Sequence, residues 1–131
     1  MAAGRYLLDT HALIWWWLGD PALSVAAREA IEAPDSDILV SAVSGLEIAL
    51  KVRAGKLPTM AEPLRSFDAA VVSDGFGHLA VTHDHAIRAG LLAGAHRDPF
   101  DRLLAAQALI EGVAVVTRDP QFSGFGCRVL W

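Results

Sequence analysis

Four carboxylates fall where a parallel α/β chain gathers its ligands. Asp9 closes the apolar run Tyr6-Leu7-Leu8, and Glu47 comes shortly after Ile38-Leu39-Val40. Asp119 follows Val113-Ala114-Val115-Val116-Thr117, and Asp101 opens a helix-like stretch that runs into that same strand. Open α/β sheets bind ligands outside the carboxyl ends of their strands. Carboxylates gathered there suit hard divalent cations such as Mg²⁺ or Mn²⁺. The chemistry this points to is metal-dependent phosphodiester cleavage.

Each acid also has a plainer reading as a helix cap. Asp9 can cap a helix beginning near Ala12. Ser44-Gly45-Leu46-Glu47 reads as a capping box. In Asp98-Pro99-Phe100-Asp101, Asp98 caps, Pro99 takes the first helical position and Asp101 favours the positive end of the dipole. Asp119-Pro120 has the same shape. Caps explain acids at helix starts anywhere, as at Asp20, but not their concentration at one sheet edge. Four bare carboxylates at close range repel and would have to take up protons, a cost that a cation removes. Thr10 and Thr117 place hydroxyls beside Asp9 and Asp119, where they could orient carboxylates. Asp98 stands open between cap and extra acid.

The elements that must position these residues are short and alternate. Strands are expected near residues 5–9, 37–41, 78–82, 113–117 and 127–130, each apolar and bounded by polar or turn residues. Helices are expected over 12–18, 21–32 (Asp20 as cap, Pro21 at the first position), 43–54 with its stop at Gly55, 62–74, 83–92, and 99–111 with its stop at Gly112. Gly75-Phe76-Gly77 reads as a turn. Strands alternating with helices give βαβ units and a mainly parallel sheet. Continuous apolar strands mean a sheet covered on both faces.

The 131 residues fit one domain over 1–131. Apolar residues make up 53%, above the usual ~45–50%, enough for a core and some exposed apolar surface. No apolar run approaches the ~20 residues of a membrane helix. The opening Met1-Ala2-Ala3-Gly4-Arg5 leads straight into a strand, without room for a signal peptide. A single cysteine, Cys127, forms no internal disulfide and fits a reducing cytoplasm. The net charge of −4 argues against a general nucleic-acid coat protein. It does not argue against an enzyme on RNA, because bound cations would cancel the clustered acids. Lys51, Arg53, Lys56, Arg97, Arg102 and Arg118 lie close to the acids in sequence and could hold phosphates.

Other residues read as background. Trp15-Trp16-Trp17 points three rings in three directions, mostly into the core, with at least one reaching the surface. His83-Asp84-His85 reads as a helix start rather than a metal pair. His96, two residues before Asp98, is within reach of the site but is assigned to a surface loop. No Gly-rich phosphate loop, Gly-x-Ser-x-Gly elbow or Cys-His nucleophile arrangement occurs.

Four segments in order resemble a known family. They are Leu7-Leu8-Asp9-Thr10-His11-Ala12, Ser41-Ala42-Val43-Ser44-Gly45-Leu46-Glu47, His96-Arg97-Asp98-Pro99-Phe100-Asp101-Arg102 and Val116-Thr117-Arg118-Asp119, with Val129-Leu130-Trp131 at the end. The chain is similar to the PIN-domain ribonucleases, specifically the VapC-like toxins of type II toxin–antitoxin pairs. The resemblance covers nearly the whole chain. It departs at Leu46, where relatives often carry Trp. It implies a three-layer α/β/α sandwich and an endoribonuclease that arrests growth. It also implies a cognate antitoxin as partner and a homodimer. In that reading Asp9, Asp101 and Asp119, with Glu47 direct or through water, hold Mg²⁺ (or Mn²⁺) that activates water and stabilises charge on the scissile phosphate. Arg97 and Arg102 stand near substrate.

Three rivals fit less well. A phosphoaspartate-forming phosphatase wants a second acid two residues after the first, where this chain has His11. A receiver-like domain wants paired early acids and a lysine after a late strand, where this chain has Arg118. A catalytically idle binding module would have no need of all four acids.

Overall fold

A computed structural model describes residues 4–131. Met1 to Ala3, part of the segment read as leaving no room for a signal peptide, lie outside the described residues. The first strand, β1 (Arg5–Leu8), passes directly into α1 (Thr10–Leu18), with Asp9 alone between them. The pattern recurs at β2 (Asp37–Ser41) and α3 (Ala42–Arg53), where Ser41 ends the strand and caps the helix. Between them lies α2 (Val25–Glu32), and after α3 come a 3₁₀ turn (Pro58–Met60), α4 (Ala61–Arg65) and α5 (Phe67–Ser73). The chain continues through β3 (Gly77–Leu79), α6 (His83–Leu91), α7 (Pro99–Glu111), β4 (Ala114–Val116), α8 (Gln121–Gly124) and β5 (Val129–Leu130).

The five strands form one sheet in the order β3-β2-β1-β4-β5, with every pairing parallel. Successive side chains on a strand point to opposite faces, and the two cores follow that alternation. Leu8, Ile38, Val40 and Val116 face one core with Leu13, Ile14, Ala27, Ile48 and Phe76. Leu7, Val113 and Val115 face the other with Leu104, Ala105, Ala108 and Phe122. The result is the expected α/β/α sandwich with a central five-stranded sheet.

Local outcomes differ from the sequence reading in several places. The strand expected near 78–82 is Gly77–Leu79, so Gly77 leaves the expected turn and Thr82 caps α6. The helix expected over 21–32 begins only at Val25, capped by the Ser24 hydroxyl, which accepts from the Ala27 amide at 3.0 Å. Asp20 accepts from the amide of Ala22 at 2.8 Å, two residues on, so it closes a turn instead of capping. The helix expected over 62–74 breaks at Ser66 (φ −116°, ψ 35°), and the break turns Phe67 edge-on to Trp17 at 5.3 Å between ring centroids. The capping box at Ser44 does not form. The cap of α3 is Ser41, which accepts from Val43 at 3.0 Å, and the Ser44 hydroxyl meets Thr10 instead.

Candidate active site

Asp9 and Asp119 sit at the carboxyl ends of β1 and β4. These neighbouring strands flank the point where the order of the sheet reverses, the crevice in which open α/β sheets bind ligands. The Asp9 amide extends the ladder, donating to Val116 O at 3.1 Å. Its side chain is 7% exposed. Oδ1 caps α1 by accepting from the Ala12 amide at 2.7 Å, and Oδ2 accepts from Thr117 Oγ1 at 2.5 Å. Thr117 Oγ1 in turn accepts from the Asp119 amide at 3.0 Å. That amide has only a proton to give, so the hydroxyl proton of Thr117 is directed at Asp9. Thr117 thus links the two acids, as expected of an orienting hydroxyl. Thr10 does not: its hydroxyl pairs with Ser44 Oγ at 3.0 Å in the interior, fastening α1 to α3.

Asp101 arrives from the first turn of α7. Asp98 caps that helix, with Oδ1 accepting from Phe100 at 2.9 Å and Asp101 at 3.4 Å. Asp101 Oδ2 lies 2.8 Å from His96 Nε2. Among the described residues, His96, Asp101 and Asp119 each offer a ligand atom within 4.8 Å of one another. Asp119 Oδ1 accepts from Gln121 at 2.9 Å. Its other oxygen and Asp101 Oδ1 have no hydrogen-bond donor among the described residues.

Electrostatics join these acids. Burial pushes the Asp9 carboxyl above the ordinary carboxylate range, and the negative charge of Asp101 adds to the rise against the bonds from Thr117 and Ala12. Burial also raises Asp101. The bond from His96 opposes the rise, and Asp98 and Asp119 reinforce it. A pocket whose own charges disfavour their ionised forms, and whose outward oxygens lack donors, fits a divalent cation.

Glu47 stands to one side. It shares a hollow with Asp98, Phe100, Lys51, Lys56 and His11, and its carboxylate lies 3.6 Å from Lys51 Nζ. His11 also borders the separate hollow of about 390 Å³ that holds Asp9 and Asp119. Asp119 therefore shares one hollow with Asp9 and one cluster with Asp101 and His96, while Glu47 and Asp98 lie in the next hollow. Leu46, the departure from the family pattern, is 52% exposed on α3.

The basic residues divide. Arg102 does not face a substrate. It donates to the carbonyls of Ala89 (2.9 Å), His96 (3.0 Å) and Leu92, so it clamps the 92–98 loop onto α6. Arg97 lines an apolar hollow between α6 and α7, with Ala89, Pro99 and Leu103. Arg118 reaches the acids' rim, its Cζ 4.6 Å from the centroid of the Trp15 ring. Sequence reasoning left His96 on a surface loop. Its signal was its place just before the Asp98 cap, which folds the loop back over the first turn of α7.

The PIN domain family model matches residues 6–126. Ribonuclease VapC22 of Mycobacterium tuberculosis is 32% identical over 114 residues, covering 86% of this chain and 85% of the relative. The structure of VapBC2 from Rickettsia felis bound to a DNA fragment from their promoter superposes with a TM-score of 0.71 at 18% identity, over 95% of this chain and 96% of that one. VapBC-1 from nontypeable Haemophilus influenzae gives 0.65 at 16% identity, over 95% and 96%.

Proposed function

The chain belongs to the PIN domain family, and from that premise we propose that it is a metal-dependent endoribonuclease, the toxin of a type II toxin–antitoxin pair. The observation that carries the reading is that Asp119 shares a hollow with Asp9 and a ligand cluster with Asp101 and His96 at the reversal of the sheet, with Asp101 raising Asp9 and Asp119 raising Asp101 by their charge. Asp9, Asp101 and Asp119 would hold Mg²⁺ or Mn²⁺, and Glu47 would act from the adjoining hollow through water. A bound divalent cation supplies charge to the scissile phosphate and lowers the pKa of an attacking water. Thr117 fixes Asp9 and Asp119 together, and His96 holds the Asp101 carboxylate in place.

Among the described residues, the lone thiol and the buried hydroxyls are poorly placed to act as nucleophiles. Burial pushes the Cys127 thiol up to about 11, and the hydroxyls of Thr10, Ser41 and Ser44 are tied in interior hydrogen bonds. The family gives no support to a phosphatase or receiver. Among the described residues no helix is long and apolar enough to cross a membrane. A cognate antitoxin as partner is supported by the likeness to VapC22 and to the VapBC structures of the same fold.

Purified protein freed of antitoxin is expected to cut single-stranded RNA with Mg²⁺ or Mn²⁺ and to stop in chelator. Asp9→Asn and Asp101→Asn should each lower the rate on the order of a thousandfold while the fold persists. Full activity in excess chelator overturns the metal reading.

A further inference from the structure

We propose that Arg118, held over the Trp15 ring, is the phosphate grip of this site, binding the RNA backbone beside the scissile position. The inference rests on the ribonuclease reading and deepens it. A polyanion entering a carboxylate pocket on a chain of net charge −4 needs a positive contact of its own. Among the described residues lining the hollow with Asp9 and Asp119, Arg118 is the one that carries a fixed positive charge.

How Arg118 is held matters as much as its charge. Arg5 is paired with Asp37 at 3.1 Å, Arg65 with Glu62 at 3.0 Å and Lys51 with Glu47 at 3.6 Å. Arg102 is taken up by carbonyls. Among the described residues no carboxylate or carbonyl binds the guanidinium of Arg118. An aromatic ring holds it instead, at 4.6 Å from Cζ to the centroid. A ring engages the face of a guanidinium and leaves the N–H edge open, and that edge matches a phosphate in bidentate geometry. Trp15 is itself braced, with Trp131 at 5.8 Å and His11 at 5.5 Å between centroids. The grip is thereby ordered before RNA arrives, which removes part of the entropic cost of binding. Its backbone is fixed as well, since Arg118 lies between Thr117, whose hydroxyl accepts, and Asp119, whose amide donates to it. Trp15 is on this reading a positioning residue that acts through Arg118.

The test is binding of a fluorescent single-stranded RNA, read by anisotropy over a salt series. Ca²⁺ replaces Mg²⁺ so that binding is read under conditions chosen to suppress cleavage. Arg118→Ala is expected to weaken binding on the order of tenfold and to lower the salt slope by about one. Calorimetric Ca²⁺ affinity should stay unchanged. Arg118→Lys should recover the salt slope but not the affinity. Trp15→Leu should reproduce part of the Arg118→Ala loss, and the double variant should bind no worse than Arg118→Ala alone. If Trp15→Leu fails to fold by circular dichroism, Trp15→Phe is read in its place, with a smaller loss in the same direction. Wild-type binding retained in Arg118→Ala overturns the grip and leaves the ribonuclease reading standing. Fully additive losses overturn the role of Trp15. A wild-type protein that binds Ca²⁺ but no RNA overturns both readings together.

Discussion

One hydroxyl, that of Thr117, ties the Asp9 carboxylate to the backbone of Asp119, donating to Asp9 Oδ2 and accepting from the Asp119 amide. The arrangement keeps Asp9 buried at the expense of its ionised form, and this has a signed consequence. The folded-state pKa of Asp9 and Asp101 is raised by burial, so in chelator the folded protein binds protons that the unfolded chain releases. Stability should therefore rise as pH falls through the raised folded values toward the unfolded value of about 3.9. Asp9→Asn removes its share of that slope, and Asn serves as a cap nearly as well as Asp. We expect the variant to melt above wild type at pH 7.5 in chelator and the gap to close toward pH 4.5. A constant gap across that range would count against burial as the cause. The acids were legible in the sequence because polar residues ending apolar strands have few places to go. Thr10 was misplaced because its neighbour relation to Asp9 along the chain says nothing of side-chain direction, which sends it to Ser44. His96 was obscured because a loop residue carries no periodicity.

At the scale of elements, α7 is pinned to the sheet by a buried glutamine. Gln107, fully buried, accepts from the Ser41 hydroxyl at 2.6 Å and donates to Ala80 O at 3.2 Å. His85 beside it accepts from the Thr82 amide at 3.0 Å on Nδ1, which puts its proton on Nε2, 3.0 Å from Glu111 Oε2. The network joins the helix that carries Asp101 to the strand end that caps the helix carrying Glu47. Gln107→Leu leaves the Ser41 proton and the Ala80 carbonyl without partners. It should cost about 2–3 kcal/mol, read as a lower urea midpoint at unchanged slope, with RNA cleavage per folded molecule preserved. The central strands and α7 were readable because apolar runs with clear stops leave one assignment. The starts of α2 and the split of α4 from α5 were not, since tertiary contacts decided them: burial of Leu23 in one case and Phe67 against Trp17 in the other.

For the whole molecule, the apolar excess surfaces in places other than expected. Trp15, Trp16 and Trp17 are all partly covered, and the Trp16 and Trp17 indoles both donate to Asp74 Oδ2, at 3.2 and 2.7 Å. The exposed patch lies instead on α6 and α7, where Ile87 is 60%, Leu91 79% and Ile110 38% exposed around one shallow hollow. Patches of this kind on small proteins mark interfaces. Light scattering at micromolar concentration is expected to give twice the 14.0 kDa of the chain, and Leu91→Glu to return it to one copy. A single cooperative melt for the Leu91→Glu variant would agree with one domain. A wild-type protein that stays at one copy would refute the expected dimer.

The pairing of β1 with β4 sets an order of events during synthesis. Asp9 is made well before the strand that supports it, and the hydroxyl that orients it, on Thr117, comes 108 residues later. A nascent chain still short of β4 carries Asp9 and Asp101 without Asp119 or the crevice. The crevice therefore closes only when β4 has joined β1, and any chain that stops short of β4 leaves its acids apart.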